Sequence, residues 1–140
     1  TTPYLRRHDV EQQVSVVSRV PGVRRSMVAH QRHIAQGGQI VMVGRDIGTT
    51  VLPDAPLKVF LTASISVRAQ RRYRELQPLA GGVTHKNILD GLDRRDKLDS
   101  ERKVAPLRPA PDAHIISTDH HTVDWVVKKI LLLAERNQWA

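Results

Sequence analysis

The sequence predicts an α/β fold built on a parallel sheet, and three observations carry that expectation. Three short apolar runs, Ile40 to Val43, Val59 to Leu61 and His114 to Ser117, are too short for helices and read as strands. Longer segments with apolar residues at helical spacing alternate with them, as βαβ units require. Gly44, Arg45 and Asp46 directly follow the first run. In an open parallel sheet, the crevice beyond the carboxyl ends of the strands is where ligands bind. On its own this tripeptide also reads as a glycine turn with an Arg–Asp surface pair, a contact worth roughly 0–1 kcal/mol.

Composition bounds the partners. The 140 residues are 40% apolar and only 4% aromatic, enough for one domain spanning 1–140 with a core of its own. The net charge is +8, and 16 of the 22 basic residues are arginines. Arginine is the residue of planar, two-pronged recognition of phosphate and carboxylate, so anionic ligands are expected. With no cysteine there is neither a disulfide nor a thiolate nucleophile. The first ten residues lack an apolar signal region, and the longest apolar run, Ile130 to Ala134, is too short to span a bilayer. A soluble, cytoplasmic protein without a membrane partner is expected.

In chain order, Asp9 caps a helix whose stripe is Val10, Val14, Val17 and Val20, with Ser15 beside it. Pro21 and Gly22 break it. A second helix is expected from about Val23 to Gln36, with Val23, Met27 and Ile34 on one face and Gly37-Gly38 as its stop. Arg24 falls in its first turn, where a cation opposes the helix dipole by about 0.3–1 kcal/mol and so points toward a ligand.

Beyond the second strand, Ser64 caps a helix through Leu76 that carries Arg68, Arg71, Arg72 and Arg74 on a basic face, read as mostly solvated. Residues 77–83 form a loop, and Thr84 caps the next helix. If that helix holds to Arg102, then Arg95, Asp99 and Arg102 stack on one face at i, i+4 and i+7, an arrangement in which Arg95 and Asp99 can also form a plain helical ion pair. Adjacent Arg94 and the exit through Pro106, Pro109 and Pro111 equally suit a mobile basic flap. Thr122 caps the last helix, whose broad face of Val123, Val126, Val127, Ile130, Leu131 and Ala134 is expected to be core. His114, Asp119, His120 and His121 lack a second ligand set, so a polar loop rather than a metal site is expected there.

Four stretches in order, VSVVSRVPGVR, GRDIGTTVLPDAPLKVFLTAS, AQRRYREL and RRDKLDSERKVAPLRPAPDA, resemble the cytidylate kinases, the bacterial nucleoside-monophosphate kinases, over essentially the whole chain. The resemblance implies a P-loop kinase fold, incomplete at its N-terminal side, and ATP-dependent phosphorylation of CMP and dCMP with Mg²⁺. Within it, residues 1–38 would close the substrate-binding region, 39–76 and 112–140 the core, and 77–111 the lid, with Arg94, Arg95 and Arg102 in the lid. Carried over by motif, Ser15, Arg24, Asp46 and Arg102 would recognise cytosine. Arg95 and Asp99 would lie at the ribose and phosphates, Arg45 near the transferred phosphoryl group, and Arg45, Arg95 and Arg102 would be the catalytic cations.

Two departures from the family pattern follow. No G-x-x-x-x-G-K-[ST] loop occurs in the sequence, nor the segment that carries the family's substrate-binding tyrosine–arginine pair, so the 140-residue chain alone is expected to be inactive. Val43 stands where many members carry an acid, and valine offers Mg²⁺ no oxygen.

Base selectivity has a physical requirement of its own. Cytosine presents an amine donor beside ring acceptors, which calls for an acceptor flanked by donors: Asp46 with Arg24, Arg102 and Ser15. Uracil would set a carbonyl oxygen against Asp46. The competing reading is a non-catalytic basic module binding RNA or another polyanion. Five aromatic residues without a stacking pattern, and acids at the pocket, weigh against nucleic acid.

Overall fold

The computed structural model describes residues 13–14, 16–18, 20–77, 84–101 and 106–137. Two parallel strands, β1 (Val59–Thr62) and β2 (His114–Ser117), pair in the register Val59 with His114 through Thr62 with Ser117. Parallel neighbours need a crossover connection, and here it contains two helices. They are α2 (Ile65–Leu76) and α3 (His85–Ser100); α1 (Pro21–Ala35) precedes the sheet and α4 (Val123–Arg136) follows it. The structure is thus mixed α/β with a small parallel sheet.

The helix boundaries follow local chemistry. Ser64, Thr84 and Thr122 each accept a bond from the backbone N–H three residues on, satisfying one orphan donor of α2, α3 and α4. Pro21 does not merely break a preceding helix but opens α1, where its missing N–H costs nothing. That helix ends at Ala35, and Gly38 then takes φ +71, the left-handed conformation that glycine enters without penalty. Residues 13, 14, 16 and 17 are helical, in keeping with a helix leading into Pro21, while its proposed cap Asp9 and Ser15 lie outside the described residues.

Two expectations need correction, and a further apolar face lies open. Ile40 to Val43 forms no strand and pairs with none among the described residues, and Val41 and Val43 are each 91% exposed. A run of valine and isoleucine satisfies a strand only when a neighbour accepts its backbone bonds. The face of α1 formed by Val23, Met27 and Ile34 is likewise exposed, and α1 buries no residue. Finally, α4 is not core throughout: Val126 is buried, whereas Val123, Val127 and Leu131 are exposed. The apolar spacing was read correctly, but burial needs an opposing surface, and none covers these residues among those described.

Among the described residues the buried apolar ones are Val51, Ala69, Ile88, Ala110, Ile116 and Val126, and a single charged residue, Asp99, is buried with them. Ala69, Ile88, Ile116 and Val126 lie on α2, α3, β2 and α4, and Val51 and Ala110 on connecting segments. Residues 106–111 fold back onto it: the N–H of Leu107 donates to the carbonyl of Asp99 at 2.9 Å, and Ala110 is buried.

Candidate functional site

Gly44, Arg45 and Asp46 lead into a single π-helical turn, Ile47–Val51, whose N–H groups at Val51 and Leu52 reach back five residues to Asp46 and Ile47. Such turns are rare and recur at functional sites. A Cβ at Gly44 would stand 2.8 Å from Cγ1 and Cδ1 of Ile47, so a larger residue there would make the Ile47 side chain shift. A Cβ at Gly48 would meet the Lys58 stem at 3.3 Å. Lys58 is itself held by Asp112, whose carboxyl that hydrogen bond lowers below its ordinary range.

Arg45 and Asp46 both point charge at other elements. Arg45 pairs with the Asp99 carboxylate on α3, and Asp46 pairs with Arg24 in the first turn of α1. The Arg24 and Asp46 side chains are 14% and 15% exposed, and Asp99 is fully shielded. The surface-pair reading of Gly-Arg-Asp therefore gives way to two partly or wholly buried pairs that tie three elements together. Asp46 also offsets the unfavourable place of a cation at the start of α1, which has no acid in its first turn.

A second tie holds the same corner. Arg32, in the last turn of α1, donates from Nε to the Val51 carbonyl at 2.8 Å and from a terminal nitrogen to the Thr50 carbonyl at 2.7 Å. These are the end of the π turn, so α1 grips the Arg45–Asp46 corner through Arg24 at one end and through Arg32 at the other.

On α3, Arg95 precedes Asp99 by one turn, and its Nε is buried with no hydrogen-bond partner among the described residues. Asp99, Arg45, Asp46 and Arg24 thus form one region of alternating charge, with Arg95 one helical turn before Asp99 on α3. Helix α3 ends at Ser100, and Arg102, like Ser15, lies outside the described residues. Arg94 is exposed and donates to its own helix at Asp90 O, 3.3 Å away.

The basic face of α2 is less solvated than expected. Arg68 forks onto Asp96 of α3 and donates from Nε to Ala63 O at 3.1 Å, while Arg71 binds Thr118 through its hydroxyl and carbonyl. Arginine side chains reach far enough to find acceptors on neighbouring elements, which helical periodicity cannot reveal. At the carboxyl ends of the strands, Asp119 accepts from Ser64 N at 2.7 Å and from its hydroxyl at 3.0 Å, and the backbone bond depresses its carboxyl pKa. His121 stacks on Trp125 with ring centroids 3.6 Å apart. No group of three or more His, Cys, Asp or Glu suited to a metal occurs among the described residues, and no helix there is long and apolar enough to cross a membrane.

Comparison with known proteins places these residues in context. A profile of the cytidylate kinase family matches residues 1–136. The chain is 46% identical over 135 residues to the cytidylate kinase of Bacillus velezensis, covering 96% of this chain and 60% of that protein. It is 45% identical over 133 residues to that of Caldanaerobacter subterraneus, covering 95% and 59%. It is also 49% identical over 132 residues to a bifunctional pantoate ligase/cytidylate kinase of a Synechococcus strain, where the shares are 94% and 24%. The chain thus spans about three-fifths of the length of the single-function relatives.

Proposed function

The chain belongs to the cytidylate kinase family, and from that premise we propose that it forms the monophosphate-binding part of an enzyme on a P-loop kinase fold that phosphorylates CMP and dCMP with ATP. The single observation that carries the reading is the pairing of Arg24 with Asp46 and of Arg45 with Asp99 around one corner. An acceptor beside donors suits cytosine, and guanidinium groups next to it suit the phosphate.

In this reading Asp46 accepts the exocyclic amine of cytosine, and Arg24, with Ser15 and Arg102, donates to the ring acceptors. Arg95 and Asp99 hold the sugar and phosphate. An oxygen of the CMP phosphate attacks the terminal phosphorus of ATP, that phosphorus separates from the bridging oxygen, and CDP and ADP result. Arg45, Arg95 and Arg102 offset the charge on the phosphoryl group in transit, the kind of positioning and charge stabilisation on which such transfer depends. Arg94, Arg95 and Arg102 belong to a lid formed by residues 77–111.

The fit of Mg²⁺ to these residues fails at two points. Val43 carries no oxygen, and no acidic cluster of the described residues could take its place. Neither Val43 nor a three-ligand group among the described residues offers the metal a site, and no step here is routed through it.

Steady-state turnover of CMP, dCMP and UMP with ATP by the complete protein tests the proposal. Turnover of CMP well above UMP, weakly dependent on salt, is expected. Absence of turnover together with polyanion binding that falls steeply with salt would support the basic binding module instead.

A further inference from the structure

Helix α3 is attached to α2 at two places of different kind. Near its start, His85 meets the Tyr73 ring edge to face, with centroids 6.0 Å apart and planes at 76°. Eleven residues on, about 16 Å along the helix, Arg68 forks onto Asp96 with bonds of 3.1 and 2.5 Å. The ring contact holds the helix against α2 but tolerates rotation about its axis. A two-pronged guanidinium–carboxylate pair does not, because both prongs must stay in one plane.

Rotation matters for what lies next to Asp96. At 3.6 residues per turn, Arg95 and Asp99 sit roughly 100° and 60° round the helix from Asp96, on the same side. Asp99 is the residue that pairs with Arg45, and Arg95 has the buried Nε without a partner among the described residues. Arg68 is in turn anchored to the sheet, since its Nε donates to Ala63, the residue that follows β1. A continuous path therefore runs from the end of β1 through Arg68 and Asp96 to the functional face of α3.

We infer that Arg68 and Asp96 are positioning residues, which fix the rotation of α3 and so hold Arg95 and Asp99 at the substrate's sugar and phosphate. The inference rests on the kinase reading, and it adds residues that do not themselves touch the nucleotide. Sub-ångström displacement of charged groups at a phosphoryl-transfer site is costly, so the loss should be about ten- to a hundredfold in kcat/KM. It should fall equally on CMP and UMP, whose sugar and phosphate are alike, and leave their ratio unchanged.

Arg68→Met, Asp96→Asn and the double variant, made in the complete protein, test this. Each single variant is expected to lower kcat/KM for CMP and UMP in equal proportion, chiefly through kcat, and the double variant to lose no more than the worse single, because one contact is being removed. A purely structural pair would lower the melting temperature and leave kcat per folded enzyme as it was. Wild-type kinetics in both single variants, or losses that multiply in the double variant, would overturn the inference. If the wild-type protein turns over no CMP, the kinase reading fails separately. Hydrogen exchange then decides on the pair: faster exchange in α3 but not in β1 or β2 upholds it as the element fixing α3, and unchanged exchange in α3 refutes it.

Discussion

Arg45 reaches out of the turn after the first apolar run, Ile40 to Val43, to pair with Asp99 of α3, a carboxylate with no solvent exposure at all. Burying that charge is tolerable only because it is partnered, since an isolated ion in the interior costs several kcal/mol. The pair is also the covalent neighbour of a second one, Arg24 with Asp46, so two adjacent residues bring α1 and α3 to the same corner.

Removing Arg45 should therefore destabilise the protein more than removing the whole pair. Arg45→Met is expected to cost about 3 kcal/mol by leaving the Asp99 charge inside the protein, and Arg45→Met with Asp99→Leu to recover most of it. Urea unfolding of the two variants checks the order. A double variant less stable than Arg45→Met would show that Asp99 serves the fold by other contacts.

Arg32 should matter to the same corner although it has no charge partner among the described residues. Its two bonds end on the carbonyls of Thr50 and Val51, so Arg32→Met is expected to cost about 1–3 kcal/mol through unsatisfied backbone acceptors. Arg32→Lys should recover only part, because an ammonium lacks the fork that meets two adjacent carbonyls. Thermal unfolding of both variants measures this, and equal stability of the lysine variant and wild type would contradict it.

Much of this was legible in the sequence and some was not, for definite reasons. Ser64, Thr84 and Thr122 are readable as caps because capping is local, whereas the roles of Arg24, Asp46 and Asp99 come from the family resemblance alone. The pairings of Arg45 with Asp99 and of Arg68 with Asp96 join residues 54 and 28 positions apart, and no periodicity encodes them. Arg32 left no trace because its acceptors are backbone atoms, which every residue has. Val41, Val43 and Val123 are apolar enough for a core, yet burial depends on what packs against them.

Those exposed valines give the next prediction. With Val41 and Val43 each 91% exposed, and Val123 and Leu131 also open, the isolated 140-residue chain should self-associate. Val41→Lys with Val43→Lys should reduce the association seen by light scattering. A monomeric chain with a cooperative, high melting transition would count against this, as would turnover of CMP by the isolated chain against its expected inactivity.

Acid should loosen the carboxyl ends of the strands. Asp119 accepts from Ser64, and its pKa is lowered chiefly by that backbone bond. A depressed carboxyl stabilises the folded state above its ordinary pKa of about 4 and loses that contribution as pH falls through the folded value. Asp119→Asn keeps an acceptor for Ser64 and cannot titrate, so its melting temperature should fall less steeply than that of wild type below pH 4. Identical slopes would mean that Asp119 is not part of the acid transition.

In the proposed function Asp46 selects the base while Arg95 holds what all nucleotides share. Asp46→Asn preserves shape but offers either a donor or an acceptor, and a good polar pair is worth about 1–3 kcal/mol of discrimination. Steady-state kinetics of the complete protein on CMP and UMP is the measurement. The predicted result is a CMP-over-UMP ratio in kcat/KM that shrinks by roughly ten- to a hundredfold, chiefly through loss on CMP, while Arg95→Met weakens both alike. If Asp46→Asn lowers both nucleotides in equal proportion, Asp46 is a structural partner of Arg24 and does not read the base.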